Sequence, residues 1–388
     1  MLKQITLAAI IALGLSADTV SNVNSAFKNG EKKLRLGILN NSILLLLLIA
    51  TAVYGQPQNS RASSAASYLE RGNSWMAKGE IERAIADYDL AIAFDSRYAL
   101  AYYNRAVARG RNGDLDGAVR DYDRAIELNP RCVDAYLNRG AIRYGQGERA
   151  AGIKDFSRVI EFNPRDARAW NNRGRARSDE GDLAGALTDF NQAIKLDSRN
   201  TIVWSNRSSI HRLQGALDAA LADCNQALKL DARNVDAWNN RGLALQDKGD
   251  LDGALADFDH AITLNPQQAG FYTNRGRVWL MKVEPDRAMD DLNRAIAIDP
   301  KLAEAWSGRG VAWFAKQDYT RAITDFNQAL RLNPRQAETY CGRGVARLAQ
   351  GRLDEAEADV ARCRELGGDL KSQAAALLRE TKQRRAAR

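Results

Sequence analysis

The chain has 388 residues, 45% hydrophobic and 27% charged, a composition that excludes a disordered or fibrous protein. Its formal charge of +8 sits at the ends: residues 1–64 carry +4, residues 371–388 carry +5, and the stretch between them carries −1, which argues against nucleic acid as the partner of the folded middle. Two histidines and four scattered cysteines, none at metal-ligand spacing, leave little material for a metal centre or a catalytic site, so no cofactor and no enzymatic activity are expected.

Two apolar stretches come first in the chain. Ile5 to Leu15 follows Lys3 and reads as a short signal-peptide core ending near Ser16 and Ala17. The second is stronger: Lys32, Lys33 and Arg35 lead into the apolar run Ile43 to Ala50, then Val53, Tyr54 and Gly55, which is the charged, apolar, small order of a secretory signal cleaved after Ala52 or Gly55. A core lying this far in is unusual, and a translation start near Leu34 or Leu36 would account for it. Without cleavage, residues 36–54 serve as a single membrane anchor, weakened by Asn40, Asn41 and Ser42. In both cases the positive-inside rule puts the rest of the chain on the far side of the membrane, so a periplasmic or secreted location is expected. Residues 1–55 are thus a signal peptide or anchor, and residues 56–64 a polar linker.

From Ala65 the chain divides without insertion or deletion into nine blocks of 34 residues: 65–98, 99–132, 133–166, 167–200, 201–234, 235–268, 269–302, 303–336 and 337–370. We call these repeats 1 to 9 and number positions within each. Position 4 is always aromatic, from Tyr68 to Tyr340, position 8 is always small, and position 20 is alanine or glycine throughout. Aromatic 4, small 8 and bulky 11 share a face of one helix; small 20, bulky 24 and small 27 share a face of a second, so small meets large across a helical hairpin. Glycine at position 15 in seven repeats, often followed by Asp or Glu, stops the first helix and caps the second. Five of the seven prolines stand at position 32 and close the second helix.

In this register the chain resembles the tetratricopeptide-repeat family, as in Trp238, Gly242, Leu245, Ala254, Phe258 and Pro266. The resemblance covers about four fifths of the chain and implies an all-α, right-handed α-solenoid of helix-turn-helix repeats, with a concave groove lined mainly by the first helix of each pair. After the last repeat, Leu370, Ala374, Leu377 and Leu378 continue a helical stripe, so residues 371–388 are expected to form a capping helix and basic tail.

Three features go beyond the bare pattern. Position 7, usually aliphatic in the family, is arginine in all nine repeats (Arg71 to Arg343), and position 23 is aspartate in all nine (Asp87 to Asp359). Fork-like pairing across the hairpin or the repeat junction is the expected reading; two unrelated solvated faces are the alternative. Position 6 is asparagine in six consecutive repeats: Asn104, Asn138, Asn172, Asn206, Asn240 and Asn274. Asparagine inside a helix costs roughly 0.6 kcal/mol relative to alanine. Each carboxamide matches the N–H and C=O of an extended peptide, and the run resembles the asparagine ladders of peptide-gripping superhelices in the family. The six are therefore candidate peptide-binding residues, the alternative being a solvated consensus spread by duplication. The cationic places of the family's carboxylate clamp are taken by Leu69, Asp134 and Asn138, so that mode is not expected, and the other groove positions (Asp134, Arg168, Arg175, Asp236, Leu243, Arg277, Phe314) give no clear ligand charge.

Of the isolated residues, His211 at position 11 reads as packed core and His260 as surface; Cys224 replaces a core aromatic. Cys341 and Cys363 share repeat 9 but are expected to face the groove and the hairpin core respectively, which leaves a disulfide between them open. The expected function is a non-enzymatic protein–protein interaction scaffold holding a peptide or partner protein in the concave groove. The alternative is a membrane-anchored envelope assembly factor that organises a multi-protein complex through its convex face or ends.

Overall fold

The computed structural model describes residues 58–368, which form 18 α-helices with no strand among the described residues. The signal or anchor segment and the expected capping helix lie outside them. The chain divides into two compact units, Met1–Pro130 and Arg131–Arg388. The first holds α1 (Gln58–Ala77), α2 (Ile81–Phe94), α3 (Ala99–Arg111) and α4 (Leu115–Leu128), which are repeats 1 and 2. The second holds repeats 3 to 9 as α5 (Val133–Gly145), α6 (Arg149–Phe162), α7 (Ala167–Asp179), α8 (Leu183–Leu196), α9 (Thr201–Leu213), α10 (Leu217–Leu230), α11 (Val235–Lys248), α12 (Leu251–Leu264), α13 (Ala269–Met281), α14 (Pro285–Ile298), α15 (Ala303–Ala315), α16 (Tyr319–Leu332), α17 (Ala337–Ala349) and α18 (Leu353–Glu365). Odd-numbered helices are the first of each repeat. Each pairs with its successor as a hairpin, and within each unit the second helix packs on the next first helix. The expected linker is shorter than its composition suggested: α1 starts at Gln58, and the Ser64 hydroxyl donates to the Ser60 carbonyl one turn back.

The turns follow from the sequence. At position 15 the glycines Gly79, Gly113, Gly147, Gly181, Gly215, Gly249 and Gly351 take φ between +75° and +88°, where a Cβ is disfavoured. The next residue caps the second helix in four repeats, where Asp114, Asp182, Asp250 and Asp318 each accept from the N–H three residues on. Repeats 7 and 8 lack the glycine, and the fold imposes the same backbone on Val283 (φ 60°) and Gln317 (φ 64°). Second helices end two residues before Pro130, Pro164, Pro266, Pro300 and Pro334. The position-4 indoles then fasten the inter-repeat turn: Trp170, Trp204, Trp238 and Trp306 donate to the position-32 carbonyls of Pro164, Ser198, Ala232 and Pro300 at 2.8–2.9 Å.

Within each hairpin the small position 8 admits the ring at position 24. A Cβ added to Gly174 would stand 2.8 Å from Phe190, and one on Gly310 would stand 2.7 Å from Phe326. These rings are 0–1% exposed, so truncating one to alanine would remove about 3–5 kcal/mol. Repeat 5 changes both partners together, to Ser208 and Cys224; Cys224 is fully buried as expected, and burial pushes its thiol up to about 11.

The Arg–Asp pairing forms in all nine repeats, across the hairpin. Each position-7 arginine donates Nε and Nη2 to the two oxygens of the position-23 aspartate at 2.5–2.9 Å. The carboxylates are 0–5% exposed. Each guanidinium lies 4.6–5.8 Å from the centre of its own position-4 ring. The third nitrogen reaches across the junction to position 25 of the preceding repeat: Arg105 to Asp89, Arg173 to Ser157, Arg207 to Asn191, Arg241 to Asn225, Arg275 to Asp259, Arg309 to Asn293 and Arg343 to Asn327, at 2.5–3.1 Å. One side chain therefore braces its hairpin, its aromatic and its neighbour. Arg109, Arg143, Arg177 and Arg347 at position 11 give their aspartates a second cation.

Two expectations change. His211 is not core: it takes the place of those position-11 arginines, half-buried, with Nε2 3.7 Å from the Asp223 carboxylate. Cys341 and Cys363 do not face apart. Position 5 lies close enough to position 27 of the second helix, at a Cα–Cα distance of 5.5 Å, for the two to be joined in a disulfide. His260 is exposed as expected and stacks on Trp238, 4.4 Å between ring centres.

Candidate functional site

In unit 2 the first helices of neighbouring repeats, such as α9 with α11 and α13 with α15, also pack on one another, so they form the inner, shorter-radius side of the stack. Asn138, Asn172, Asn206, Asn240 and Asn274 stand at matching places on α5, α7, α9, α11 and α13, all half-buried. Asn104 occupies the same place on α3 in unit 1. There its Nδ2 donates to Asn73 Oδ1 at 2.8 Å, and the same oxygen accepts from the buried Tyr88 hydroxyl at 2.9 Å, on the wall of a cavity of about 340 Å3. Burial pushes the Tyr88 phenol up to about 12, against the nearby Arg111 charge.

The asparagines do not simply wait for a ligand. Asn206 Nδ2 donates to Asn171 Oδ1 of the preceding repeat and Asn274 Nδ2 to Asn239 Oδ1, each at 2.9 Å, while Asn240 Nδ2 donates to the Ser205 carbonyl at 2.9 Å. Asn172 Oδ1 accepts from Asn171 at 3.3 Å. Part of the amide capacity of Asn206, Asn240 and Asn274 therefore ties adjacent first helices together. With two N–H groups and a carbonyl per carboxamide, these bonds leave capacity at Asn206, Asn240 and Asn274 toward the inner face. The partners at position 5 (Asn171, Ser205, Asn239) were not anticipated. Their signal was a run of polar side chains, Asn171, Ser205, Asn239 and Thr273, at a position that is Leu137 in repeat 3.

Around this track the side chains differ from repeat to repeat. Positions 9 and 12 bring Arg175, Ser209, Leu243, Arg277 and Arg212 in repeats 4 to 7, then Val311, Phe314 and Val345 in repeats 8 and 9. Arg212 pairs with Asp247 at 2.8 Å, Arg168 with Asp166 at 2.7 Å and Asp134 at 3.5 Å, and Asp179 accepts from the Tyr144 hydroxyl at 2.7 Å. Arg175 lies 5.3 Å from the centre of the Tyr144 ring. Arg277 keeps solvent contact but is crowded; desolvation holds its guanidinium below the ordinary value, with Asp247 opposing and Arg212 reinforcing. Among the described residues there is no group of three or more metal-ligating side chains, and no helix long and apolar enough to cross a membrane.

Family models described as TPR repeat match residues 72–113, 111–147, 209–249 and 312–351, and others described as tetratricopeptide repeat match 137–198 and 235–268. The chain belongs to the tetratricopeptide-repeat family. No curated protein sequence matches it. Among solved structures, a tetratricopeptide repeat protein from Parabacteroides merdae ATCC 43184 superposes with a TM-score of 0.56 at 18% identity, covering 64% of this chain and 98% of its own. The APC/C hetero-tetramer Cut9-Hcn1 superposes with a TM-score of 0.58 at 16% identity, covering 82% of this chain and 76% of the matched one. At such identities the likeness is one of tetratricopeptide-repeat fold.

Proposed function

We propose that this protein is a non-enzymatic scaffold that holds an extended peptide or a segment of a partner protein along the inner face of repeats 3 to 9. One contrast carries this reading. The residues that hold the stack together, at positions 4, 7, 8, 20 and 23, recur with little change, whereas positions 9 and 12 on the inner face change chemistry at almost every repeat. A frame that repeats and a face that varies suit recognition of a sequence laid across several repeats. The remaining amide capacity of Asn206, Asn240 and Asn274 supplies backbone-directed bonds within it. Asn138 and Asn172 would extend the track toward repeat 3, and Asn104 has the equivalent place in unit 1.

The same reading locates the repeats outside the cytoplasm, secreted or anchored by residues 36–54. Its support is the basic, apolar and small order of residues 32–55, together with a disulfide of the kind that persists in oxidising compartments. Amino-terminal sequencing of the protein recovered from cell fractions tests this part.

Peptide display on the full chain tests the groove. Replacing Asn172, Asn206 and Asn240 together by alanine should weaken selected peptides at least about tenfold, as expected for one or two hydrogen bonds of about 1 kcal/mol each. Because Asn206 and Asn240 also brace the stack, a second variant, Ser209→Trp, fills the inner face with those amides left in the chain and should block binding at unchanged helicity. Peptides that bind both variants as they bind the parent overturn the groove reading and favour the convex face or the ends.

A further inference from the structure

The charges on the inner face look mixed in sequence, and several of them pair within the protein. Arg212 is neutralised by Asp247, Arg168 by Asp166 and Asp134, and Asp179 is held by Tyr144 with Arg149 at 4.0 Å. The acidic side chains at position 2, Asp134, Asp236, Glu304 and Glu338, stand in the first turns of α5, α11, α15 and α17, where the helix N-terminus favours a negative charge. Two guanidinium groups at position 9 have no such close partner, although Asp247, already paired with Arg212, exerts some attraction on Arg277. Arg175 rests against the Tyr144 ring, and Arg277 touches Asn274 Oδ1 at 3.5 Å; neither forms an ion pair within 4.0 Å among the described residues. Both lie beyond the first turn, on helices whose N-terminal partial charges are too distant to matter and of the wrong sign to help.

We propose that the partner segment is acidic, and that Arg175 in repeat 4 and Arg277 in repeat 7 are its two guanidinium anchors, each receiving an aspartate or glutamate side chain. The flanking Val311, Phe314 and Val345 give the same segment an apolar end on repeats 8 and 9. This rests on the groove reading above and adds the charge of the occupant.

The test is selection of random twelve-residue peptides on the full chain and on the Arg175→Glu/Arg277→Glu variant. Peptides selected on the parent should be enriched in Asp and Glu. Charge reversal should weaken them at least about tenfold and shift the selection toward Lys and Arg, and affinity for the parent should fall as salt is raised from 50 to 300 mM. Thermal melting of the variant checks that the stack is intact. Peptides with no acidic bias that are still blocked by Ser209→Trp overturn the charge assignment and leave the groove standing. An acidic bias that survives reversal overturns the two anchors. If no peptide is selected, both the assignment and the groove reading fall.

Discussion

The Arg–Asp ladder allows a graded prediction, because its rungs differ in one respect. In repeat 6, Arg241 Nε and Nη2 each lie 2.8 Å from an oxygen of Asp257, which is 3% exposed, and position 11 is Leu245, so no second cation among the described residues is bonded to that carboxylate. In repeat 4, Asp189 receives the same fork from Arg173 and a further bond from Arg177 at 2.9 Å. Arg241→Met leaves a buried carboxylate unpaired, breaks the 2.8 Å bond to Asn225 and removes a guanidinium 4.6 Å from the Trp238 ring centre. The cost should be about 3–5 kcal/mol, the range for breaking one side of a buried pair. Arg173→Met strands no charge, since Arg177 remains, and should cost about 1–3 kcal/mol. Arg241→Met combined with Asp257→Leu should recover most of the first loss, because the isolated charge is gone. The assay is urea unfolding followed by helicity, with hydrogen exchange of α11 and α12 to localise the loss, since repeat arrays open in segments. Equal losses for the two single variants, or a loss for Arg241→Met below about 1 kcal/mol, would refute the reasoning and place the ladder among solvated surface pairs.

Val283 is 82% exposed and held at φ 60°, so Val283→Gly should raise stability by about 1 kcal/mol by relieving the left-handed backbone, and Gln317→Gly should act in the same direction; an unchanged or lower melting point contradicts this. Reduction of the Cys341–Cys363 bond, or Cys341→Ala, should destabilise repeat 9 by about 3 kcal/mol, from the loop entropy of a 22-residue separation, and hydrogen exchange should rise in α17 and α18 while α9 to α12 stay protected. Burial works to raise the Asp166 carboxyl, but Arg168 and the N–H groups it caps hold it below its ordinary value. Its contribution is therefore complete above about pH 4, the unfolded value, and is lost as pH falls through the lower folded value, so Asp166→Asn should flatten the acid limb of the stability curve below about pH 4.

Most of the frame was legible because the period counts everything nine times. Gly174 facing Phe190, and Arg173 facing Asp189, follow from spacing on two helices once the hairpin is granted. What spacing cannot show is where a side chain spends its hydrogen bonds. Asn206 stands on the first helix of its repeat, but its bond to Asn171 runs between repeats, and only the pitch of the stack decides that α7 comes close enough. The charge of the inner face was illegible for the same reason: Arg168 and Asp134 look like independent groove positions until their 3.5 Å approach pairs them. His211 and the Cys341–Cys363 pair depart from the pattern once each, so no repetition was available to indicate their direction. The missing glycines at Val283 and Gln317 were visible, yet whether the turn would change or the residue would be strained was a matter of tertiary packing.

The arginine that reaches back to position 25 has a consequence for how such a gene changes length. Its acceptor is Asn, Asp or Ser in the repeats where the bond forms, so the join between any two repeats is written in nearly the same letters. Unequal recombination that removes or copies whole 34-codon blocks would therefore restore a compatible junction automatically, whereas a loss of any other size would destroy one. The chain can gain or shed reading positions along its inner face without having to evolve a new interface each time.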